Sequence, residues 1–179
     1  MSLSKGLSIL EIGFGTGLNA FLTLLKAEVL QLQIRYTGVE AYPVVSKEVS
    51  QLNYVEQLSV EDHRDSFDAL HRCPWEIANS MTPQFQLTKQ QKDFLAIKDV
   101  NVFDLIYFDA FGPRVQPELW TETVFNIMFR ALKPNGVLVT YSAKGSVRRA
   151  MQAVGFLVER LPGPPGKREM LRATKHSAI

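Results

Sequence analysis

The 179-residue chain is long enough for one folded domain, and its 46% hydrophobic and 21% charged residues are ordinary for a globular protein. No apolar run approaches the roughly 20 residues that span a bilayer, and no secretory signal pattern is present, so we expect a cytoplasmic protein. One cysteine, Cys73, and three scattered histidines exclude an internal disulfide and give no metal-ligand spacing.

The net charge of +2 is unevenly distributed along the chain. Residues 1–129 contain 10 Lys and Arg against 16 Asp and Glu, whereas residues 130–179 contain 10 against 2. Such asymmetry within one domain indicates a polyanionic partner. A solvated basic face explains the same pattern equally well.

The first element follows from the stretch Leu7–Asn19, which reads LSILEIGFGTGLN. A short apolar run, glycines at alternate positions and then good helix formers predict a buried strand, a tight turn and a helix. Glycines let a backbone approach a ligand closely. The spacing differs from the dinucleotide fingerprint G-x-G-x-x-G, because Leu18 stands where its last glycine would be. A glycine turn without a ligand remains the alternative.

The second strand is predicted at Gln33–Glu40, and Pro43 suits the first turn of a helix that runs to about Gln57. Glu40 would end this strand. An acid at that position can accept hydrogen bonds from both ribose hydroxyls of an adenosine. The alternative is an ordinary surface acid.

Residues 58–92 have the weakest pattern. A short helix is predicted at Asp65–His71, and weak alternation at Gln84–Thr88 indicates a third strand. Asp93 follows that strand and is a candidate to face an adenine amino group. A helix-capping Asp is an almost equally good interpretation.

The fourth strand, Val102–Phe108, is clear and is followed directly by Asp109. Ligands of open parallel sheets bind outside the C-terminal ends of the strands, so we expect Asp109 at a site. The remaining predicted elements are a helix at Glu118–Leu132, a turn at Lys133–Gly136, a strand at Val137–Tyr141, a helix at Ser142–Val154, and strands at Phe156–Arg160 and Glu169–Thr174.

With these elements placed, the chain resembles a known family. The pattern E-x-G-x-G-x-G at Glu11–Gly17 resembles the first motif of Rossmann-like methyltransferases that use S-adenosylmethionine (SAM). The whole chain is similar to the methyltransferase of the bacterial bifunctional enzyme that completes 5-methylaminomethyl-2-thiouridine at the tRNA wobble position. The blocks that carry this resemblance are Glu11–Asn19, Asp104–Trp120, Leu132–Val139, Ser142–Met151 and Gly166–Leu171.

The resemblance implies an α/β fold of the Rossmann-like class I type, with a mostly parallel seven-stranded sheet flanked by helices. It also implies methyl transfer from SAM to the primary amine of 5-aminomethyl-2-thiouridine, with Asp109 as the catalytic residue at that amine. The residues expected to bind the cofactor are Glu11, Gly13, Gly15, Gly17, Asn19, Glu40, Asp93 and Asp109.

The partner implied by the resemblance is the anticodon region of tRNA. Aromatic rings can stack on a splayed base, and basic side chains can contact phosphates. The residues expected on the substrate side are Phe111, Pro113, Trp120, Lys144, Arg148, Arg149, Lys167 and Arg168.

The chain also departs from the family pattern. The flavin oxidase domain of the fused enzymes is absent, so a separate oxidase is a candidate partner. The usual segment upstream of the first strand is absent too, and we treat residues 1–179 as one methyltransferase domain without that native segment. A monomer is expected.

Three alternatives remain open. The first is a methyltransferase of a small molecule or a protein, for which the basic C-terminal part would be incidental. The second is an aminopropyltransferase that uses decarboxylated SAM. The third is a non-catalytic RNA-binding or scaffold domain with a vestigial cofactor turn, although the glycines, Glu40 and Asp109 together argue against such decay.

Overall fold

A computed structural model describes residues 6–163, 166 and 168–176, and its centre is one eight-stranded sheet in the order β3-β4-β2-β1-β5-β6-β8-β7. The strands are Leu7–Ile12 (β1), Ile34–Glu40 (β2), Ala78–Thr82 (β3), Phe85–Gln91 (β4), Phe103–Phe108 (β5), Leu132–Thr140 (β6), Leu157–Pro162 (β7) and Glu169–Thr174 (β8). The five central strands are parallel to one another, whereas β3, β7 and β8 pair in antiparallel fashion.

The predicted α/β class and the mostly parallel sheet are confirmed, but the expected number of seven strands is wrong. The additional strand is β3, which forms an antiparallel hairpin with β4 at one edge of the sheet. Its side chains are exposed or half-buried, so the sequence contains no apolar alternation that would have indicated it.

Six α-helices and three single turns of 3-10 helix connect the strands of the described part. The α-helices are Leu18–Leu30 (α1), Ser46–Val49 (α2), Tyr54–Gln57 (α3), Arg64–Arg72 (α4), Glu122–Ala131 (α5) and Gly145–Ala153 (α6). The 3-10 turns are Glu61–His63, Phe94–Ala96 and Pro117–Trp120.

Two of the predicted helices are interrupted. The helix expected from Pro43 to Gln57 is two single turns, α2 and α3, separated by residues 50–53, where Ser and Asn favour non-helical backbone. The helix expected at Glu118–Leu132 is a 3-10 turn followed by α5, because the Thr121 side chain accepts a hydrogen bond from the Val124 amide and caps α5.

Both faces of the sheet are buried by apolar side chains. On one face, β1 contributes Ile9 to a cluster with residues of α1 and α4. On the other, β1 contributes Leu10 and Ile12 to a cluster with residues of α5 and α6. Central strands covered on both faces are typical of parallel sheets, and their C-terminal ends remain the accessible edge.

No helix within the described residues is both long enough and apolar enough to cross a membrane.

Candidate functional site

A cavity of about 780 Å³ opens at the edge where the parallel strands end. The turn after β1 and the ends of β2, β4, β5 and β6 surround it, as expected for an open α/β sheet. The predicted cofactor and substrate residues that line it are Glu11, Gly13, Gly15, Asn19, Glu40, Asp93, Asp109 and Phe111.

The glycine turn packs directly on the end of β5. Gly13 has φ of +85°, and a Cβ there would lie 2.9 Å from the Asp109 carbonyl oxygen. Any side chain at this position would combine a disfavoured backbone conformation with a clash against backbone. Gly17 also has a positive φ, of 73°, and precedes the first residue of α1.

Glu40 links this turn to the end of β2. One carboxylate oxygen accepts a hydrogen bond from the Gly15 amide at 3.0 Å, and the other accepts one from the Tyr42 amide at 3.0 Å. The carboxylate therefore lies at the wall of the cleft, where the sequence predicts it.

Glu11 is the buried acid of the site, with only 1% of its surface exposed. Its carboxyl accepts hydrogen bonds from the Asn19 amide at 2.9 Å and from the Tyr36 hydroxyl at 2.8 Å. Burial raises the pKa of Glu11 to about 8, and the negative charges of Asp109 and Glu40 contribute in the same direction. Glu11 therefore retains its proton in neutral solution.

Asp109 begins a loop whose backbone is fixed by three hydrogen bonds. Its amide donates to the Ile12 carbonyl at 3.0 Å. The Tyr141 hydroxyl donates to the Ala110 carbonyl at 2.8 Å, and the Trp120 indole donates to the Phe111 carbonyl at 2.8 Å. These bonds fix the loop while the Phe111 ring remains 68% exposed at the mouth of the cleft.

The structure contradicts the prediction that Trp120 stacks on a substrate base. Trp120 is only 6% exposed and packs edge-on against Phe108, with Phe125 and Tyr141 also near its ring. Its ring belongs to the core, and its role toward the site is to hold the loop.

Asp93 caps the 3-10 turn that follows β4, because its side chain accepts a hydrogen bond from the Leu95 amide at 2.7 Å. The capping interpretation is thus confirmed. Asp93 also lines the cleft, so a contact with adenine stays a prediction. Pro113 is half-buried and does not belong to the cleft-lining residues.

Five carboxylic acids line the cleft, and Glu11 is the protonated one among them. Neither lysine, arginine nor histidine contributes to the lining among the described residues. The acids are Glu11, Glu40, Asp93, Asp109 and Glu118. Such a lining favours ligands that carry positive charge.

The predicted basic residues lie beside the cleft rather than in it. Lys144 directly precedes α6, which contains Arg148 and Arg149. Arg168 precedes β8, whose N-terminal end lies next to the C-terminal end of β6 because these strands are antiparallel. None of these four forms a salt bridge in the described part of the chain. Lys167 lies outside the described residues.

Sequence reasoning missed Tyr36, Tyr141 and Glu118. Tyr141 follows directly on β6, so the rule that ligands bind at strand ends was a usable signal for it. Tyr36 lies within β2, and nothing in the sequence indicates that its hydroxyl reaches Glu11.

With this geometry established, comparison with known proteins identifies the family. A family model described as S-adenosyl-L-methionine-dependent methyltransferase matches residues 82–176, just over half of the chain. The chain belongs to this methyltransferase family. Its cofactor is therefore SAM.

Curated relatives extend the match over nearly the whole methyltransferase chain. It is 30% identical over 92% of its length to a protein of Nitrosospira multiformis, and 30% identical over 94% to one of a Marinomonas species. Both are named tRNA 5-methylaminomethyl-2-thiouridine biosynthesis bifunctional protein MnmC. The chain spans only 28% and 26% of these relatives.

Solved structures support the fold. The crystal structure of MNMC2 from Aquifex aeolicus has a TM-score of 0.68 at 22% identity and covers 98% of this methyltransferase and 55% of that chain. Spermidine synthase from Thermotoga maritima has a TM-score of 0.56 at 16% identity and covers 95% of this chain and 53% of that one.

The cleft fits SAM on chemical grounds. The sulfonium and the α-ammonium of SAM are both cationic, and the described residues of the cleft offer carboxylates and no lysine, arginine or histidine. From the sequence pattern we expect Glu40 to bind the ribose and the glycine turn to lie against the methionine part of SAM.

Removing the buried acid should change how the stability of the ligand-free methyltransferase depends on pH. The pKa of Glu11 rises from 4.5 to about 8 on folding. Between pH 4.5 and pH 8 the folded state therefore retains a proton on Glu11 that the unfolded state has lost. The free energy of unfolding should therefore fall as pH rises from 4.5 to 8, by up to about 1.4 kcal/mol per pH unit from this residue. Chemical denaturation at several pH values should show a flatter dependence for Glu11→Gln, whereas exposed Glu48→Gln should resemble wild type. Equal slopes in all three proteins would contradict the raised pKa.

Glu40→Ala should weaken SAM binding by roughly 2–4 kcal/mol, because the variant cannot make two hydrogen bonds to a charged acceptor. Calorimetry measures the affinity. A SAM analogue with a 2′-deoxyribose separates ribose binding from loosening of the glycine turn, since the mutation should cost less affinity for that analogue. Equal losses for both ligands would instead assign Glu40 to holding the turn.

Proposed function

We propose that this methyltransferase transfers a methyl group from SAM to the primary amine of 5-aminomethyl-2-thiouridine at the wobble position of tRNA. The observation that carries the proposal concerns the described residues at one edge of the sheet: the charged groups that line the cleft are acids, and Lys144, Arg148, Arg149 and Arg168 beside it form no salt bridge there. The 30% identity to proteins named for this pathway supports it.

The acidic cleft suits an amine acceptor in particular. A primary alkylamine is protonated in neutral water and is attracted to carboxylates, whereas a carboxylate or phosphate acceptor would be repelled. Glu118 extends the acidic lining beyond Asp109, on the 3-10 turn at Pro117–Trp120. The acceptor side of the cleft is thus selective for a cation.

When bound, SAM supplies an electrophilic methyl group on a sulfonium, which is already a good leaving group. The acceptor must lose a proton before its nitrogen has a lone pair with which to attack. Asp109 orients the ammonium by a charge-assisted hydrogen bond and accepts that proton. Most of the acceleration comes from alignment, which in well-oriented systems contributes up to ~7–11 kcal/mol.

The loop that carries Asp109 is suited to such alignment. Tyr141 and Trp120 hold two successive carbonyls, so the backbone that follows the reacting group is fixed. The exposed ring of Phe111 provides a surface on which the extruded uracil stacks, and such stacking contributes about 1–3 kcal/mol per base.

The basic residues would bind the RNA around that base. Lys144, Arg148, Arg149 and Arg168 have no carboxylate partner among the described residues, in contrast to Arg160 and Arg172 of the same region. Phosphates of the anticodon stem and loop supply the missing anions. Since the substrate amine must come from a preceding step, a flavin oxidase that generates this amine is the proposed partner.

The proposal is tested by incubating the protein with labelled SAM and tRNA from cells that lack the final methylation. Nucleoside analysis should detect label in 5-methylaminomethyl-2-thiouridine. Fully modified tRNA is the control and should accept no label. Label in another nucleoside, or none at all, would contradict the proposed substrate.

An aminopropyltransferase is the second candidate, because an all-acidic cleft also suits a diamine acceptor. This enzyme class uses decarboxylated SAM. Calorimetry with the two cofactors decides between them: SAM should bind more tightly if the protein transfers methyl groups. Tighter binding of decarboxylated SAM, with transfer to a diamine, would favour the second candidate.

Asp109→Asn should retain SAM binding but reduce the turnover of tRNA methylation by ~10²-fold or more, because the asparagine cannot accept the ammonium proton. The deficit should shrink at higher pH, where more of the amine is already free. Steady-state rates between pH 7 and 9.5 measure both effects. Near-normal turnover at neutral pH would leave Asp109 with a structural role only.

Replacing basic residues should weaken tRNA binding without affecting SAM. The double variant Arg149→Gln plus Arg168→Gln removes two exposed charges, and exposed Lys26→Gln on α1 is the matched control. For each phosphate that the variant no longer neutralises, the slope of log affinity against log salt should fall by up to about one. Equal affinities and slopes for the double variant and the control would exclude these residues from the RNA interface.

A further inference from the structure

We infer that Asn19 is a positioning residue, whose side-chain amide holds the Asp109 carboxylate in its reacting direction by anchoring it to the buried Glu11–Tyr36 pair. The inference deepens the proposed function, because it rests on the role proposed for Asp109.

The geometry places one amide between two acids. The Asn19 side-chain nitrogen lies 2.9 Å from a Glu11 carboxyl oxygen and 2.9 Å from an Asp109 carboxylate oxygen. A primary amide has two N–H donors, one for each acid. Because the Asp109 carboxylate can only accept hydrogen bonds, the nitrogen of the amide faces it, and only the amide oxygen is left for a ligand. Asn19 thus has less capacity to bind the cofactor than the sequence predicts.

The anchor of this amide is rigid. Glu11 and Tyr36 are each 1% exposed, and the Tyr36 hydroxyl fixes the second oxygen of Glu11 at 2.8 Å. The backbone of Asn19 lies in the first turn of α1, where its carbonyl also accepts a hydrogen bond from the Thr23 hydroxyl at 2.6 Å. The donor that reaches Asp109 therefore has little freedom to move.

Asp109 is the exposed end of this chain of hydrogen bonds. A short carboxylate side chain in an open cleft would sample several rotamers, and a bond to a fixed donor restricts them before the substrate arrives. The donor is also uncharged. A lysine or arginine at position 19 would neutralise Asp109, whereas an amide orients the carboxylate and leaves its negative charge available to the ammonium.

A double-mutant cycle tests whether Asn19 acts through Asp109. It compares the full-length chain with Asn19→Ala, Asp109→Ala and the double variant, and Asn19→Leu repeats the test with a side chain of nearly the same shape that favours helix. Lys26→Ala is the matched control, since it changes an exposed side chain of the same helix about two turns away from Asn19.

Two quantities are measured. In single-turnover methyl transfer to tRNA that lacks the final methyl group, Asn19→Ala and Asn19→Leu should each lower the rate about 10- to 100-fold, with SAM affinity largely retained. In the Asp109→Ala background the same changes should have almost no further effect. In thermal unfolding without ligand, Asn19→Ala should lower Tm less when Asp109 is already absent.

The inference would be overturned if the Asn19 and Asp109 substitutions had additive effects on both the rate and Tm. It would also be overturned if their effects on Tm were non-additive but the Asn19 variants methylated tRNA at the wild-type rate. If the wild-type protein does not methylate tRNA, the proposed substrate fails, but the Tm cycle still decides whether the amide holds Asp109. Additive Tm shifts would then overturn the inference on their own.

Discussion

The site depends on a contact of backbone against backbone, between the turn after β1 and the first residue after β5. Gly13 lies so close to the Asp109 carbonyl that a Cβ would be 2.9 Å from it, and the Asp109 amide bonds to the Ile12 carbonyl. This contact fixes the distance between the glycine turn and the loop that begins at Asp109. Each hydrogen bond that runs from Glu11 through Asn19 to Asp109 requires that separation.

Acidic and basic side chains occupy separate regions at one edge of the sheet. Acids line the cavity, where SAM and an amine would both bring positive charge, and basic residues without salt bridges in the described part of the chain lie beside it. Burying an ionised acid next to others is costly, and Glu11 avoids that cost by remaining protonated in neutral solution. The cleft can therefore hold many carboxyl groups without the full repulsion that their number suggests.

The central strands β1, β2 and β5 could be predicted to within one or two residues, because β1 and β5 are mainly apolar, β2 is rich in strand-favouring residues, and each strand ends at a glycine or an acid. Asp109 and Glu40 were found because they end those strands. Of the β3–β4 hairpin, only part of β4 was predicted, at Gln84–Thr88, since the buried Lys89 that follows looks like a surface residue. Its ammonium is satisfied by the His71 carbonyl at 2.8 Å and the Trp75 ring at 4.9 Å, partners that only the tertiary fold supplies. The prediction that Trp120 lies on the substrate side failed for a similar reason. The sequence pattern of an aromatic residue after a loop is the same whether its ring faces the cleft or the core.

The chain has two tryptophans, and each contacts a different wall of the cleft. Trp75 packs edge-on against Phe14 of the glycine turn, with ring centroids 6.4 Å apart. Trp120 donates its indole hydrogen to the Phe111 carbonyl in the loop that carries Asp109. Indole emission responds to ring contacts and to hydrogen bonding. Replacing one tryptophan at a time would thus leave a single indole, whose selectively excited emission reports on the glycine turn or on the loop that begins at Asp109, without any added label.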